Sequence, residues 1–282
     1  MLMPFLELFD ETLDINSTEN YELSVQVSID NISFCILDTL RNKFVLLRSY
    51  ESVGNSKYDH NILGEIINKD DFLIRRYKKV CLSAISPKFT LVPASLFDVS
   101  KKDEYFTFNQ VISEEETIFS SKLQNPDTFI IYSFPAGIAD ILKTSFPGSI
   151  FMHHLKPLLY FISVTQRSFF SHNVHIHLER DYLNMIIFDQ NTLKFCNTFY
   201  YKTISDIQYY ILYVLKRLNI RQEETINFSG NAIKQEEILH GFSNYLNTIK
   251  FAIPTGNYTF SYVFSETELQ KFLILFSAVN CE

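Results

Sequence analysis

Val25-Gln26-Val27-Ser28-Ile29-Asp30-Asn31-Ile32-Ser33-Phe34-Cys35-Ile36-Leu37-Asp38 alternates apolar with small or polar residues around a short polar turn, and another alternating run, Lys43 to Tyr50, comes directly after it. Period-two alternation assigns one set of side chains to each face of a strand. The stretch therefore predicts strands over Tyr21 to Asp30, Ile32 to Asp38 and Lys43 to Tyr50. Connections this short permit only an antiparallel meander. The second half repeats the pattern with Asn173 to Glu179, Tyr182 to Asp189 and Thr192 to Tyr201. Val25-Gln26-Val27-Ser28-Ile29 overlays Val174-His175-Ile176-His177-Leu178. After two extra residues in the second turn, Ile36-Leu37-Asp38 overlays Ile187-Phe188-Asp189, Phe44 overlays Phe195 and Tyr50 overlays Tyr201.

The elements after each meander correspond as well. In the first half, Ile62, Ile66, Ile67 and Ile74 give Asn61 to Arg76 helical character. Strands are expected over Lys79 to Ile85, Phe89 to Val92 and Asp127 to Phe134, and Pro135 suits the first turn of a helix over Ala136 to Lys143. In the second half, Ile204 to Leu218 reads as an amphipathic helix capped by Ser205 or Thr203. A strand over Thr225 to Phe228, the turn Ser229-Gly230-Asn231 and a helix over Ala232 to Leu246 come next. Strands over Ile249 to Ile253 and Tyr258 to Phe264 precede a last helix capped by Ser265, with Glu268 at capping-box spacing. The concordant order points to duplication. A three-stranded meander succeeded by alternating helices and parallel strands is a ribonuclease-H-like unit. Two in tandem, residues 1–148 and 149–282, make an α/β protein of actin-like architecture with a cleft between its halves.

Three segments carry a closer resemblance: Leu23 to Ile36, Phe89-Thr90-Leu91-Val92-Pro93-Ala94-Ser95-Leu96-Phe97, and Phe151-Met152-His153-His154. They resemble an uncharacterised bacterial family, domain of unknown function 3822, over nearly the whole chain. The resemblance implies an actin-like ATPase fold without an assigned activity.

Composition excludes several classes. The 282 residues include 27 Phe and 16 Tyr but only seven Gly, and neither a Walker-type nor a Rossmann-type glycine motif occurs. The net charge of −7 argues against a phosphate-backbone binder, so no nucleic-acid partner is expected. Residues 149–282 hold 11 bases and 11 acids, which leaves the whole excess in the first half. Glu7, Asp10, Glu11, Asp14 and Glu19 all precede the first base and predict a solvated, mobile N-terminal arm, with an acidic docking arm as the alternative. The scattered Cys35, Cys81, Cys196 and Cys281 form no C-x-x-C pair and, mostly set in apolar runs, read as buried hydrophobes in a reducing compartment. No basic n-region opens the chain. No apolar run approaches the ~20 residues of a membrane span, so a cytoplasmic protein without membrane insertion is expected.

An active actin-like protein would hold nucleotide phosphates on two hairpin turns of the form Asp-x-Gly, the acid serving metal or water and the glycine amides the phosphate. The first such turn here is Asp30-Asn31-Ile32-Ser33, with Ile32 at the glycine position. The second is Glu179-Arg180-Asp181-Tyr182, with acids but no glycine. Bulky side chains are expected to fill the phosphate space there. The two acids would repel an anion unless a divalent cation intervened. On the adenosine side, Ser229 and Gly230 keep one glycine at a strand end, read as a conformational requirement of the turn. The candidate cleft residues are thus Asp30, Ser33, Glu179, Asp181, Ser229 and Gly230, for ATP with Mg if the site is active, in which case Asp30 would be catalytic.

Other constellations are weaker. A two-metal nuclease would draw on Asp30, Asp127 and Asp140. His175 and His177 share a strand face and could chelate a metal with a third ligand, although half-exposed strand histidines are the expectation. Phe169-Phe170, Phe199-Tyr200-Tyr201 and Tyr209-Tyr210 are expected to pack core and sheet, and would mark a protein-partner surface if exposed together. The sequence thus favours a degenerate actin-like protein that binds a protein partner or cleft ligand. The alternative is a nucleotide-dependent enzyme of the actin and sugar-kinase class.

Overall fold

The computed structural model describes residues 3–52, 58–165, 172–221, 223–230 and 235–281. Its contacts divide the chain into two units. The first comprises Met1–Tyr160, Thr255–Thr267 and Ile274–Glu282, and the second Phe161–Pro254 with Glu268–Leu273. The sequence expectation divided the chain after residue 148 and gave every later residue to the second half. The C-terminal segments instead return to the first unit.

The first unit starts with β1 (Leu6–Phe9), the meander β2 (Tyr21–Val27), β3 (Asn31–Asp38) and β4 (Lys43–Glu51), helix α1 (His60–Lys69) and β5 (Lys79–Ala84). Next come β6 (Phe89–Pro93), α2 (Lys102–Thr107), β7 (Glu116–Leu123), β8 (Thr128–Pro135), α3 (Ala136–Ser145), β9 (Ile150–His153) and the start of α4 (Leu155–Thr165), whose residues from Phe161 on belong to the second unit. Alternation places Leu23, Val25, Phe34, Ile36 and Leu46 in the core, all fully buried. Asp59 caps α1 by accepting the Ile62 amide at 2.8 Å. The main sheet runs β1-β4-β3-β2-β5-β9, while β6-β8-β7 form a separate three-stranded sheet inserted in the chain between β5 and β9. That small sheet packs Val92, Ile118 and Ile131 on Phe106 of α2.

The second unit contains β10 (His172–Leu178), β11 (Tyr182–Asp189), β12 (Thr192–Tyr200), α5 (Ile204–Arg217), β13 (Thr225–Gly230), α6 (Gln235–Phe242) and β14 (Thr248–Phe251). Its sheet order is β12-β11-β10-β13-β14, with β10 and β11 antiparallel and β10 and β13 parallel. Gln190 and Asn191 both take positive φ, 47° and 65°, in the two-residue turn joining β11 to β12. Val174, Ile176, Leu183, Met185 and Phe228 meet Ile207, Ile211 and Leu215 of α5 and Ile238 and Phe242 of α6 in one core. A capping box between Thr203 and Asp206 starts α5. Back in the first unit, β15 (Thr259–Phe260) pairs with β4, and α7 (Leu273–Ser277) comes last.

Three expectations need correction. The N-terminal arm is not solvated throughout: β1 pairs antiparallel with β4 and covers its edge. Asp10 is 1% exposed, held by Lys43 Nζ at 2.9 Å and the Thr12 amide at 2.8 Å. Burial raises the Asp10 carboxyl pKa, but hydrogen bonds from Ser261, Thr12 and Lys43 outweigh that and hold it well below the usual range. Helix α1 ends at Lys69 instead of running to Arg76, because Asp70 turns inward onto Arg48 and Tyr50. Ser265 caps no last helix; it lies past a 3-10 turn over Tyr262–Phe264, and α7 begins eight residues later. Finally, β7 and β9 were not foreseen. Phe169, Phe170, Asn231 and Ala232, each part of an expectation from sequence, lie outside the described residues.

Candidate functional site

The first hairpin connects β2 to β3. Ser28 Oγ donates to Asp30 Oδ1 at 2.6 Å and accepts the Asn31 amide at 2.9 Å, so serine and aspartate brace the turn against each other. Ile32 does not fill phosphate space. It is fully buried between Val27 and Tyr50 in the ladders, because the pleat that aims Phe34 and Ile36 at the core aims Ile32 there too. Ser33 points to the other face, where its hydroxyl meets Asn31 Oδ1 and Ser49 Oγ, both at 2.8 Å.

In the second unit, the hairpin after β10 closes through the Glu179 amide and the Tyr182 carbonyl at 2.9 Å. Tyr182 is 5% exposed and likewise points inward, whereas Arg180 and Asp181 are exposed. The expectation that bulky residues obstruct these turns is therefore replaced: Ile32 and Tyr182 belong to the interior.

What the second unit assembles instead is a line of polar side chains across one sheet face. Positions i, i+2 and i+4 set His175, His177 and Glu179 on one side of β10. The parallel register brings Ser229 of β13 opposite His177. Ser229 Oγ lies 2.8 Å from both His175 Nε2 and His177 Nδ1, and His177 Nε2 lies 3.0 Å from Glu179 Oε1. A carboxylate can only accept, so His177 carries its proton on Nε2 and its Nδ1 is an acceptor. The Ser229 hydroxyl consequently donates to His177 and accepts from His175 Nε2. Every proton in the row thus has one direction, with both imidazoles neutral. Desolvation depresses both histidines to about 3, aided for His175 by its neighbour His177.

The histidines are 2% and 1% exposed, not half-exposed strand residues. The reason is that Ser229 satisfies them from a strand more than 50 residues away in sequence. Their ring nitrogens converge on a hydroxyl, and among the described residues no three His, Cys, Asp or Glu side chains group as a metal site would require. Ser229, His177 and Glu179 repeat the contact order of a nucleophile, base and orienting acid. Ser229, however, is fully buried within the ladder.

Gly230 closes the row at φ +90°, and a Cβ there would lie 2.1 Å from the Leu178 carbonyl and 2.8 Å from His177 Cε1. The glycine is thus required by the close passage of β13 along β10. Gly230→Ala is expected to cost about 2–4 kcal/mol in chemical denaturation, combining backbone strain with overpacking; a loss within about 0.5 kcal/mol would contradict this account.

Of the other candidates, Asp127 sits beside Lys122 at 3.5 Å in the β7–β8 turn, and Asp140 is exposed on α3. The role of Ser229 as a link was missed because it depends on strand pairing, which local spacing does not reveal.

The overall structure is similar to that of a Bacteroides thetaiotaomicron protein with actin-like ATPase fold and unknown function, with TM-score 0.74 and 23% identity, covering 86% of this chain and 94% of that one. It is also similar to a chain of the PilM-PilN type IV pilus biogenesis complex, with TM-score 0.56 and 10% identity over 92% and 98% of the two chains. Among curated proteins there is no match. No helix among the described residues is long and apolar enough to cross a membrane. The fold is that of the actin-like ATPases, and the family model for a protein of unknown function, DUF3822, matches residues 10–249. The chain belongs to the DUF3822 family.

Proposed function

We propose that this protein is a non-catalytic member of the actin-like fold, built from duplicated ribonuclease-H-like halves and acting by binding a protein. One observation carries the reading: apart from the exposed Asp181, the polar groups expected to serve a nucleotide are used within the protein. Ser33 is engaged by Asn31 and Ser49, Glu179 by His177, and Ser229 by two imidazoles, while the Gly230 backbone lies against Leu178. A phosphate needs donors free to turn toward it, and rearranging these would break buried hydrogen bonds. The matching strand order of the two main sheets supports duplication. That one similar structure comes from a protein complex supports binding as the mode of action.

Isothermal titration with Mg-ATP and Mg-ADP tests the proposal, and the expected result is no heat of binding and no turnover. Saturable binding with hydrolysis that disappears in Asp30→Asn would favour the nucleotide-dependent enzyme instead.

A further inference from the structure

Helix α2 divides its aromatic residues between two environments. Phe106 is fully buried against Val92, Ile118 and Ile131, whereas Phe108, where the helix ends, is 90% exposed. Phe108 keeps helical backbone angles, φ −59° and ψ −36°, so two residues along the helix, about 200°, bring it round to the side away from Phe106. A single exposed leucine or valine needs no explanation, but a phenylalanine with almost its whole ring in water does, and this one has apolar neighbours. The half-buried Tyr105 lies one turn before Phe108, and its hydroxyl donates to the Leu96 carbonyl at 2.7 Å. Past the helix, the Gln110 amide donates to the Phe106 carbonyl and the Gln110 side chain to the Phe89 carbonyl, both at 3.0 Å, which holds the turn against β6 and keeps Val111 near Phe108. Leu96 is 67% and Val111 82% exposed. An apolar band therefore runs from Leu96 past Tyr105 to Phe108 and Val111.

The band is bordered by acids. Residues 94–116 hold six acids and two bases, net −4 in a chain whose total is −7. Glu104 stands one turn before Phe108 on the same helix face, and Glu114 and Glu115 come three and four residues after Val111. All three are exposed, and among the described residues none of them forms an ion pair. Of the two bases, Lys102 is committed to the Ile118 carbonyl at 2.6 Å and to Asp103 at 4.0 Å.

We infer that this face of the first unit docks a basic, amphipathic segment of another protein, with bulky apolar side chains seated on Phe108 and Val111 and Lys or Arg set against Glu104, Glu114 and Glu115. The inference rests on the reading of the protein as one that acts by binding a protein, and gives that reading a site and a partner chemistry. A second copy of the chain does not fit, because two such faces would set acid against acid. A neutral apolar partner does not fit either, because it would strip water from the carboxylates and return no countercharge. The apolar band supplies affinity, and the acids select the partner.

Fluorescence anisotropy of a labelled amphipathic leucine–lysine peptide, titrated with the whole chain, tests this. Saturable binding is expected, weakened by added salt, with no binding of a leucine–glutamate peptide of the same pattern. Phe108→Ser combined with Val111→Ser changes only exposed side chains and should weaken binding about tenfold or more. Glu104→Lys combined with Glu115→Lys should abolish it, and circular dichroism checks that both variants are folded. Tyr209→Ser is the control: Tyr209 is 63% exposed on α5, not packed in the core as the sequence suggested, and this variant should bind as the wild type does. No binding by the wild type, binding that both patch variants retain, or a wild-type dimer that Phe108→Ser dissolves would overturn the inference. Repeating the titration with Mg-ATP separates it from the non-catalytic reading. Hydrolysis together with patch-dependent peptide binding would remove that reading alone, whereas absence of both hydrolysis and peptide binding would remove only this inference.

Discussion

Asp70→Ala is expected to lower stability by about 3–5 kcal/mol, because it leaves Arg48 charged inside the first unit without its main partner. The Asp70 side chain is completely buried and that of Arg48 is 12% exposed; Arg48 Nη1 and the Tyr50 hydroxyl donate to Asp70 Oδ2 at 2.7 and 2.6 Å. Asp70 Oδ1 accepts the Phe72 and Leu73 amides at 2.8 and 3.1 Å, which turns the chain at the end of α1. The guanidinium also lies 5.0 Å from the Phe72 ring. Urea denaturation should separate this loss from that of Glu7→Gln. Glu7 lies 2.7 Å from Arg48 Nη2 but is 46% exposed, so its neutralisation is expected to cost under about 1 kcal/mol. Replacing both members of the inner pair, Arg48→Met with Asp70→Leu, should recover the part of the deficit that comes from the orphaned charge but not the part that comes from the Phe72 and Leu73 amides and the Tyr50 hydroxyl. A loss below about 1 kcal/mol for Asp70→Ala would show that the ion pair does not hold this corner.

How much of the structure was legible depends on the range of the interactions. The meanders were legible because each residue's face is set by its neighbours; the same alternation, within the expected strand Ile32 to Asp38, already aims Ile32 at the core with Phe34 and Ile36. Strand β1 was not legible. Leu6-Glu7-Leu8-Phe9 is short and set among acids, and its place depends on Arg48 and on Lys43, which binds Asp10 33 residues away in sequence. The inward turn of Asp70 has the same cause: nothing within α1 announces Arg48 and Tyr50. In the second unit, the shared face of His175, His177 and Glu179 was legible, and what satisfies the histidines was not. A parallel neighbour arrives only after an intervening helix, so the position of Ser229 opposite His177 is set by register alone.

That buried row gives the protein a steep acid dependence, expected to remove several kcal/mol of stability between pH 6.5 and 4.5. His175 and His177 are pressed by desolvation from an ordinary 6.5 to about 3 in the folded chain. The unfolded chain therefore binds protons that the folded one refuses throughout this window. Stability contributed by neutral burial is complete above pH 6.5 and falls as the pH drops below it, by about 1.4 kcal/mol per pH unit for each histidine. His153, also fully buried, is depressed chiefly by desolvation and further by His154, and adds a loss of the same sign. The depressed carboxyl of Asp10 acts in a different range: its contribution persists above its ordinary value of 3.8 and fails only at lower pH. Urea denaturation between pH 8 and 4.5 should thus show a plateau and then a decline that begins before carboxylates protonate. Ser229→Ala should lower stability across the whole range, because it strips His175 Nε2 and His177 Nδ1 of their shared partner. His175→Phe, which removes one imidazole from the row, should flatten the decline by about one proton's worth of slope. A stability unchanged from pH 8 to 4.5 would mean that the imidazoles reach solvent, and the directed hydrogen-bond row would then have to be abandoned.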